Sequence, residues 1–213
     1  MEPLFVDGTL LVLDKPSGLL AVPGRGADKQ DALSTRVQAL FADALIVHRL
    51  DMATSGLMLM ARGIHAQRRL SKAFADREVH KRYEAVVDGH LLPPAGAPDG
   101  WGVIDPPIAL DWPKRPLRVI DAERGKPSIT RWRVLGWDPA NDTTRVILEP
   151  VTGRSHQLRV HLQSLGHAIL GDALYATAPV QAKASRLLLH ACALTLAHPV
   201  TGETISFASP APF

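Results

Sequence analysis

Residues 48–56 read HRLDMATSG, and the rest of the chain is best understood by working outward from this stretch. It lies between two short apolar runs, Ala44–Val47 and Leu57–Ala61, whose length and composition predict buried strands. Arg49 and Asp51 stand two positions apart, so both side chains point to the same side of an extended segment. The pattern allows catalytic groups on a loop held by two core strands. The spacing alone favours a simpler interpretation, a surface ion pair at the end of a strand.

Further motifs follow the same stretch in a fixed order along the chain. They are KPSGL at 15–19, KRY at 81–83, TGRSHQLR at 152–159 and RLLLHA at 186–191. Together with HRLDxxTSG, they resemble the motifs of the RluA family of pseudouridine synthases, in that family's order and over nearly the whole chain. The resemblance implies an enzyme that isomerises uridine to pseudouridine in RNA.

The resemblance also assigns roles to individual side chains. Asp51 corresponds to the catalytic carboxylate, Arg154 to its ion-pair partner, and Tyr83 to the ring that stacks on the target base. Arg49 would fill the space left by a flipped nucleotide or anchor a phosphate, and Leu189 would form an apolar wall beneath the base. Without the resemblance, Tyr83 suits a half-buried packing residue and Leu189 an ordinary core leucine.

The chemistry of this reaction explains why such residues are needed. Isomerisation breaks an N–C glycosidic bond, turns the base and forms a C–C bond, so no energy or redox cofactor is expected. The target base must be flipped out of RNA structure or presented in a splayed loop. A carboxylate can act as a nucleophile or can stabilise an oxocarbenium charge, and the sequence leaves both roles open for Asp51. An aromatic ring at Tyr83 tolerates a base that rotates.

A second candidate for RNA contact is the stretch DWPKRP at 111–116. An exposed Trp112 beside Lys114 and Arg115 suits base stacking and phosphate contact, and it equally suits a tryptophan that packs a loop. The stretch resembles one in the branch of the family that modifies a large-subunit ribosomal RNA loop and the anticodon stem-loop of certain tRNAs. That branch implies both substrates. Another tRNA site or another ribosomal RNA loop is the alternative.

Length and composition are those of a globular protein. The 213 residues are 46% hydrophobic and 21% charged, which suits one sizeable domain or two small ones. The resemblance implies a single catalytic domain over residues 1–213 with no S4-like N-terminal domain, because its first motif begins at Lys15. A formal net charge of +3 is mildly basic and compatible with RNA binding.

Several classes of site and location are disfavoured. The single cysteine, Cys192, allows no intrachain disulfide and no cysteine-rich metal site, and no HExxH motif is present, so no metal is expected. No apolar run reaches the roughly 20 residues needed to span a bilayer, and the N-terminus has acids but no basic segment. We therefore expect a cytoplasmic protein without membrane association. No long apolar surface stripe stands out, which predicts a monomer.

The hydrophobic pattern predicts an α+β fold. Strands are predicted over 4–13 (a pair with a turn at Asp7-Gly8), 44–47, 57–61, 83–89, 129–135, 144–150, 187–189, 193–196 and 204–207. Helices are predicted from an N-cap at Asp31 to about Asp43, over 64–75 and over 155–164, with loops over 91–100 and 104–126. Helices are spread unevenly among hairpin-like strands, which favours a mixed, mostly antiparallel sheet with flanking helices. The resemblance adds a pseudouridine synthase fold with a central RNA-binding cleft.

Two rival functions remain open at this point. A hydrolase that uses Asp51 as a nucleophile requires a second carboxylate, and the sequence offers Glu149 and Asp172 without placing either near Asp51. An RNA-binding protein or chaperone without turnover would be expected to have lost Asp51, Tyr83 or Arg154, and all three are present.

A basic helix face is the other open feature. Arg68, Arg69 and Lys72 share one side of the helix predicted over 64–75. This side fits an ordinary solvated surface and a phosphate contact about equally.

Overall fold

The computed structural model describes residues 2–97 and 99–213, and the chain divides into two compact units. The first unit comprises the residues up to Lys81 and His190–Pro212; the second comprises Arg82–Leu189 and Phe213. The strands are β1 (Phe5–Val6), β2 (Leu10–Lys15), β3 (Ala44–Ile46), β4 (Ser55–Arg62), β5 (His80–Asp88), β6 (Gly102–Ile104), β7 (Ile108–Leu110), β8 (Arg118–Ile120), β9 (Thr130–Asp138), β10 (Thr143–Pro150), β11 (Leu189–Ala197) and β12 (Thr204–Ala208). The helices are α1 (Leu33–Gln38), α2 (Gly63–Ala75), α3 (Gln157–Ser164) and α4 (Ala178–Ala182), and a 3-10 turn spans Ala27–Lys29.

The sheet of the first unit is built around β2 and β4. These strands pair with each other antiparallel, β1 extends the sheet beyond β2, and β3 pairs with β4. On the other side of β4, β11 runs parallel to it and pairs with β12. Leu10, Val12, Leu57 and Leu59 form one core with Leu70 of α2. The apolar runs that flank residues 48–56 are thus strands, as predicted; β4 is buried over Ser55–Ala61, whereas only Ala44 of β3 is buried and Val47 lies outside that strand.

Gly56 allows β4 and β11 to approach each other at the start of β4. Its φ is +109°, and a Cβ at this position would lie 2.4 Å from the carbonyl oxygen of Ala191 on β11. Only glycine fits both the backbone conformation and the contact. The glycine of the HRLDxxTSG motif therefore has a packing role, which positions the strand that follows the loop.

The sheet of the second unit is antiparallel and runs in the order β5, β10, β9 and β6. Ala85, Val146, Leu148 and Trp132 are buried on one face. β7 and β8 form a separate antiparallel hairpin, which we call the β7–β8 hairpin (Ile108–Ile120). The α+β class and the mostly antiparallel pairing are as predicted. Among the described residues, no helix has the length and apolar character that a membrane span requires.

Several predicted boundaries are wrong. Asp31 does not cap α1: Ala32 is the N-cap residue, and the Asp31 carboxylate instead accepts two hydrogen bonds from Arg36. α1 also ends at Gln38, well before Asp43. The irregular segment predicted over 104–126 contains the β7–β8 hairpin, because the prolines of DWPKRP lie at its tip and leave the flanking residues free to pair. The loop predicted over 91–100 has no helix or strand in its described part, and Pro98 lies outside the described residues.

The helix predicted over 155–164 is also shorter than expected. It begins at Gln157, because His156 has a left-handed backbone conformation with φ 58°. Gly166 follows its end with φ +84°, the left-handed conformation that is common just after a helix, and Leu165 is exposed. Leu187 and Leu188 precede β11 rather than belonging to a strand, and α4 was not predicted.

Candidate active site

Asp51 lies on the loop between β3 and β4 of the first unit. Leu50 is buried, while Arg49 is exposed and Asp51 is half-buried. The two polar residues therefore flank a buried apolar residue in the sequence. The amide of Thr54 donates to the carbonyl oxygen of Asp51 at 3.1 Å and closes a turn. The loop thus presents an arginine and a carboxylate from a segment that is fixed at its centre by Leu50.

A buried lysine holds this loop from the neighbouring strand. Lys15 is fully buried, and its Nζ donates to the carbonyl oxygens of Pro16 (2.9 Å), Leu19 (2.7 Å) and Met52 (3.0 Å). Burial of an ammonium group is costly unless the group is hydrogen-bonded. The charged donor also makes strong hydrogen bonds, which hold these three carbonyl groups in place. The bond to Met52 fixes the backbone one residue after Asp51.

The remainder of the KPSGL motif completes the same clamp. The amide of Gly18 donates to the carbonyl oxygen of Met52 at 2.8 Å, and Ser17 Oγ donates to that of Ala53 at 2.7 Å. The motif therefore holds the backbone that follows Asp51. Sequence reasoning found this motif only by resemblance. The signal that could have shown its role is a lysine that directly continues the apolar run of β2.

His48, at the start of the motif, has structural contacts. Its Nε2 accepts a hydrogen bond from the amide of Leu59 at 2.9 Å, and its ring stacks on Phe74 of α2 with centroids 4.4 Å apart. Burial, with a smaller contribution from the charge of Lys81, lowers the pKa of His48 to about 3. Through these contacts, His48 is a neutral residue that fixes the loop against β4 and α2.

This lowered pKa predicts a stability that depends on pH. His48 has an ordinary pKa near 6.5 in the unfolded chain, so below that pH the unfolded state binds a proton that the folded state does not. The contribution of neutral His48 to the free energy of unfolding is therefore present above pH 6.5 and is lost as the pH falls toward 3. We expect His48 to account for a loss of about 2 kcal/mol in the free energy of unfolding between pH 6.5 and 5. Urea titrations of wild type and His48→Gln over this range measure it, and equal pH slopes in the two proteins would contradict it.

A buried hydrogen-bond chain ties the end of the loop to β11 and β2. Ser55 Oγ lies 2.9 Å from His190 Nδ1, and His190 Nε2 lies 3.1 Å from the carbonyl oxygen of Ser209. Ser209 Oγ donates to the Asp14 carboxylate at 2.5 Å. The histidine of RLLLHA therefore supports the β4 end of the loop that carries Asp51, a role that sequence reasoning did not predict.

Tyr83 lies on β5 of the second unit, opposite Leu148 of β10. It is half-buried, and Ala85, which shares its face of the strand, is fully buried. The neighbouring Arg82 points to the other face and pairs with Glu149 at 2.7 Å. Tyr83 is thus fixed in direction by its strand, and it cannot exchange faces without a shift in strand register.

Arg154 lies in the turn between β10 and α3, three residues before the helix rather than at its start. Its amide donates to Gln157 Oε1 at 3.0 Å, and its Nε donates to the carbonyl oxygen of Pro127 at 3.3 Å. Gln157 is buried and also donates to the carbonyl oxygen of Ile129 at 2.9 Å. The turn is therefore anchored by Gln157, while the Arg154 side chain is exposed.

The two carboxylates required by the hydrolase alternative have other partners. Asp172 forms a buried bidentate ion pair with Arg159, with oxygen–nitrogen distances of 2.6 and 2.8 Å. Glu149 pairs with Arg82 and Arg131. Both carboxylates therefore stabilise charges within the second unit, and neither is available as a free proton donor.

The candidate RNA-contact residues lie at the tip of the β7–β8 hairpin. Trp112 is 63% exposed, and the Arg115 guanidinium stacks 3.8 Å from its ring centroid. Lys114 is exposed beside them, and its amide donates to Asp111 Oδ1 at 3.3 Å. Trp112 is thus an exposed surface residue that packs against Arg115, and its contact with RNA remains a prediction.

The predicted site residues are divided between the units. Arg49 and Asp51 belong to the first unit, whereas Tyr83, Arg154, Leu189 and the hairpin-tip residues belong to the second. Leu189 is buried at the start of β11. No group of three or more His, Cys, Asp or Glu residues that could hold a metal ion occurs in residues 2–97 or 99–213.

Comparison with known proteins decides the family. The model of the RNA pseudouridylate synthase family matches residues 9–164. The chain is also 47% identical over 210 residues to the dual-specificity RNA pseudouridine synthase RluA of Escherichia coli strain K12, covering 99% of this chain and 93% of that protein. The chain belongs to the RNA pseudouridylate synthase family. It is therefore an RNA pseudouridine synthase, an isomerase that converts uridine to pseudouridine in RNA.

Other relatives of this synthase agree with that identification. The protein of the same description from Yersinia pestis is 46% identical over 213 residues, the full length of both chains. The solved structure of human RNA pseudouridylate synthase domain containing 1 is 28% identical, with a TM-score of 0.79, and the alignment covers 98% of this chain and 82% of the human one. The fold and the reaction implied by the motifs are thus confirmed.

Proposed function

We propose that this synthase acts on a large-subunit ribosomal RNA loop and on a tRNA anticodon stem-loop, with Asp51 as its catalytic carboxylate. The observation that carries the proposal is the clamped loop that presents Asp51, within a chain that matches dual-specificity relatives over nearly its full length. A rigid loop keeps a reacting group in its productive geometry, which is worth several powers of ten in rate.

The remaining site residues have complementary roles. Tyr83 stacks on the target uracil and accommodates it as it turns, and Leu189 contributes apolar surface beneath it. Arg154 supplies the positive charge that balances the Asp51 carboxylate during the reaction. Arg49, exposed next to Asp51, occupies the space of the flipped nucleotide or holds its phosphate. Either nucleophilic attack or oxocarbenium stabilisation by Asp51 is compatible with this set.

The tip of the β7–β8 hairpin holds the RNA outside the target base. Trp112 offers a wide ring for a splayed base, and the stacked Arg115 adds a guanidinium plane and a positive charge. Lys114 faces solvent as a point charge that suits a phosphate. This arrangement fits a stem-loop with unstacked bases better than a regular duplex.

A salt titration tests this contact. We expect Lys114→Ala to weaken binding of an anticodon stem-loop and to reduce the slope of log affinity against log salt by about 1, because one phosphate contact and its released counterion are lost. Lys114 is preferable to Arg115 for this test, since Arg115 also stacks on Trp112. Arg124→Ala is the matched control, because Arg124 is exposed in the same unit and pairs with Asp121. An unchanged slope for Lys114→Ala would contradict a phosphate contact.

Competition between the two RNAs tests the dual specificity. If one site serves both, an anticodon stem-loop should inhibit modification of a ribosomal RNA loop with an inhibition constant equal to its own KM. Modification of only one RNA would restrict the proposal to that substrate, and modification elsewhere in tRNA would favour the alternative target. A monomeric state and a cytoplasmic location remain predictions that accompany this proposal.

A further inference from the structure

Tyr175 connects the β7–β8 hairpin to the segment that follows Arg154. Its hydroxyl oxygen accepts a hydrogen bond from the amide of Arg118 on β8 at 2.9 Å, and it lies 2.6 Å from His156 Nδ1. The distance between Tyr175 and His156 is that of a hydrogen bond between the hydroxyl group and the imidazole ring. One phenol group therefore bonds two segments that carry proposed RNA-contact and active-site residues.

The ring of Tyr175 makes the same connection through packing. It is 7% exposed and forms a small core with Ile108 on β7, Val160 on α3 and Leu117 at the end of the hairpin tip. The core thus contacts the hairpin on both sides of residues 111–116. Movement of the hairpin relative to α3 would open this core as well as break the hydroxyl bonds.

Tyr175 is itself fixed in place. Its amide donates to Asp172 Oδ1 at 3.1 Å, and Asp172 forms the buried ion pair with Arg159. The Arg159 guanidinium also lies 5.0 Å from the centre of the Tyr175 ring. The residue is therefore held from α3 and from its own turn.

His156 is held in an unusual backbone conformation at the other end of the bond. Its φ of 58° lies in the left-handed region, which few residues other than glycine adopt. The conformation directs the ring edge-on to Tyr175, with an interplanar angle of 81°. Such residues persist where the surrounding structure requires them, often near functional sites. Here the constrained residue follows Arg154 by two positions.

From this geometry we propose that Tyr175 and His156 are positioning residues, which set the β7–β8 hairpin and the Arg154 turn in a fixed relation. The inference rests on the proposed function, in which the hairpin tip contacts RNA and Arg154 serves the reaction. As a consequence, RNA held by Trp112 and Arg115 is placed correctly relative to Arg154. Loss of the Tyr175–His156 hydrogen bond therefore affects both RNA affinity and reaction rate.

Tyr175→Phe tests the proposal because it removes the hydroxyl and keeps the ring. We expect the dissociation constant for an anticodon stem-loop to rise about tenfold and the single-turnover rate at saturating RNA to fall about threefold, because a small misplacement is costly in a positioned reaction. Val180→Ala is the control for stability alone, since Val180 is buried in a different cluster of the same unit. Its melting temperature should fall, while affinity and rate stay within about twofold of wild type.

A double-mutant cycle separates positioning from a merely structural role. We expect Trp112→Ala alone to weaken binding about tenfold, but to weaken it less than about threefold in the Tyr175→Phe background, where the hairpin is already displaced. Additive effects, or a Tyr175→Phe protein that behaves like Val180→Ala, would overturn the inference and leave the RNA contact of Trp112 intact. No effect of Trp112→Ala in wild type would overturn the proposed contact and the inference with it.

Discussion

Asp51→Asn is expected to lower the rate of pseudouridine formation by more than about a thousandfold while RNA affinity stays within about tenfold of wild type. Asparagine keeps the size of the side chain and one acceptor oxygen, but it has no negative charge and is a poor nucleophile. The fold should be preserved, because the clamp on this loop uses backbone carbonyls of Met52 and Ala53. Single-turnover kinetics and a binding isotherm with the same stem-loop measure the two quantities.

A control variant and the melting temperature make this result interpretable. Asp76→Asn changes an exposed carboxylate on the surface of the same unit, where it pairs with Lys72, and it should behave like wild type in both assays. The melting temperature of Asp51→Asn should lie within a few degrees of wild type. If the variant turned over RNA at a rate within tenfold of wild type, Asp51 would not be the catalytic carboxylate.

Asp172→Asn is expected to have the largest effect on stability, a loss of about 3–5 kcal/mol in the free energy of unfolding. The side chains of Asp172 and Arg159 are 0% and 5% exposed, so the substitution removes a negative charge that faces a buried guanidinium. The side-chain oxygen of asparagine can still accept the hydrogen bonds from the backbone amides of Leu174 and Tyr175. The loss of stability therefore measures mainly the removal of the charge. Urea unfolding at neutral pH measures it.

The chain contains a matched control for this prediction. Asp31 and Arg36 also form a two-bond ion pair, but their side chains are 65% and 49% exposed. Solvent screens such a pair, so Asp31→Asn should unfold at nearly the same urea concentration as wild type. Equal stabilities for the two variants would mean that burial of the Arg159–Asp172 pair has no energetic consequence, contrary to our account.

The elements predicted well from sequence are those with a clear apolar pattern. β4 was predicted as a short continuous apolar run and α2 from apolar residues at helical spacing, and both elements pack into one core. The Asp51 loop was predicted as the segment between two such strands. Asp31 failed as an N-cap because a carboxylate beside a helix start can also bind an arginine within reach, and local sequence does not decide between these partners.

The supports of the site could not be predicted because they depend on contacts between distant residues. Lys15 looks like a surface lysine until β2 and the Asp51 loop are brought together, where its ammonium group bonds the carbonyl oxygen of Met52, 37 positions along the chain. His190 and Ser55 are likewise 135 positions apart. The left-handed conformation of His156 shortened α3 for a similar reason, because its partner Tyr175 is reached only through the fold.

A pseudouridine map tests the central claim most directly. Purified protein is incubated with unmodified large-subunit ribosomal RNA and tRNA transcripts, and carbodiimide-blocked sites are read by primer extension, with Asp51→Asn in parallel. Our account predicts new sites in one ribosomal RNA loop and in an anticodon stem-loop, with wild type only. Sites that also form with Asp51→Asn, or a wild-type protein that binds these transcripts without modifying them, would contradict it.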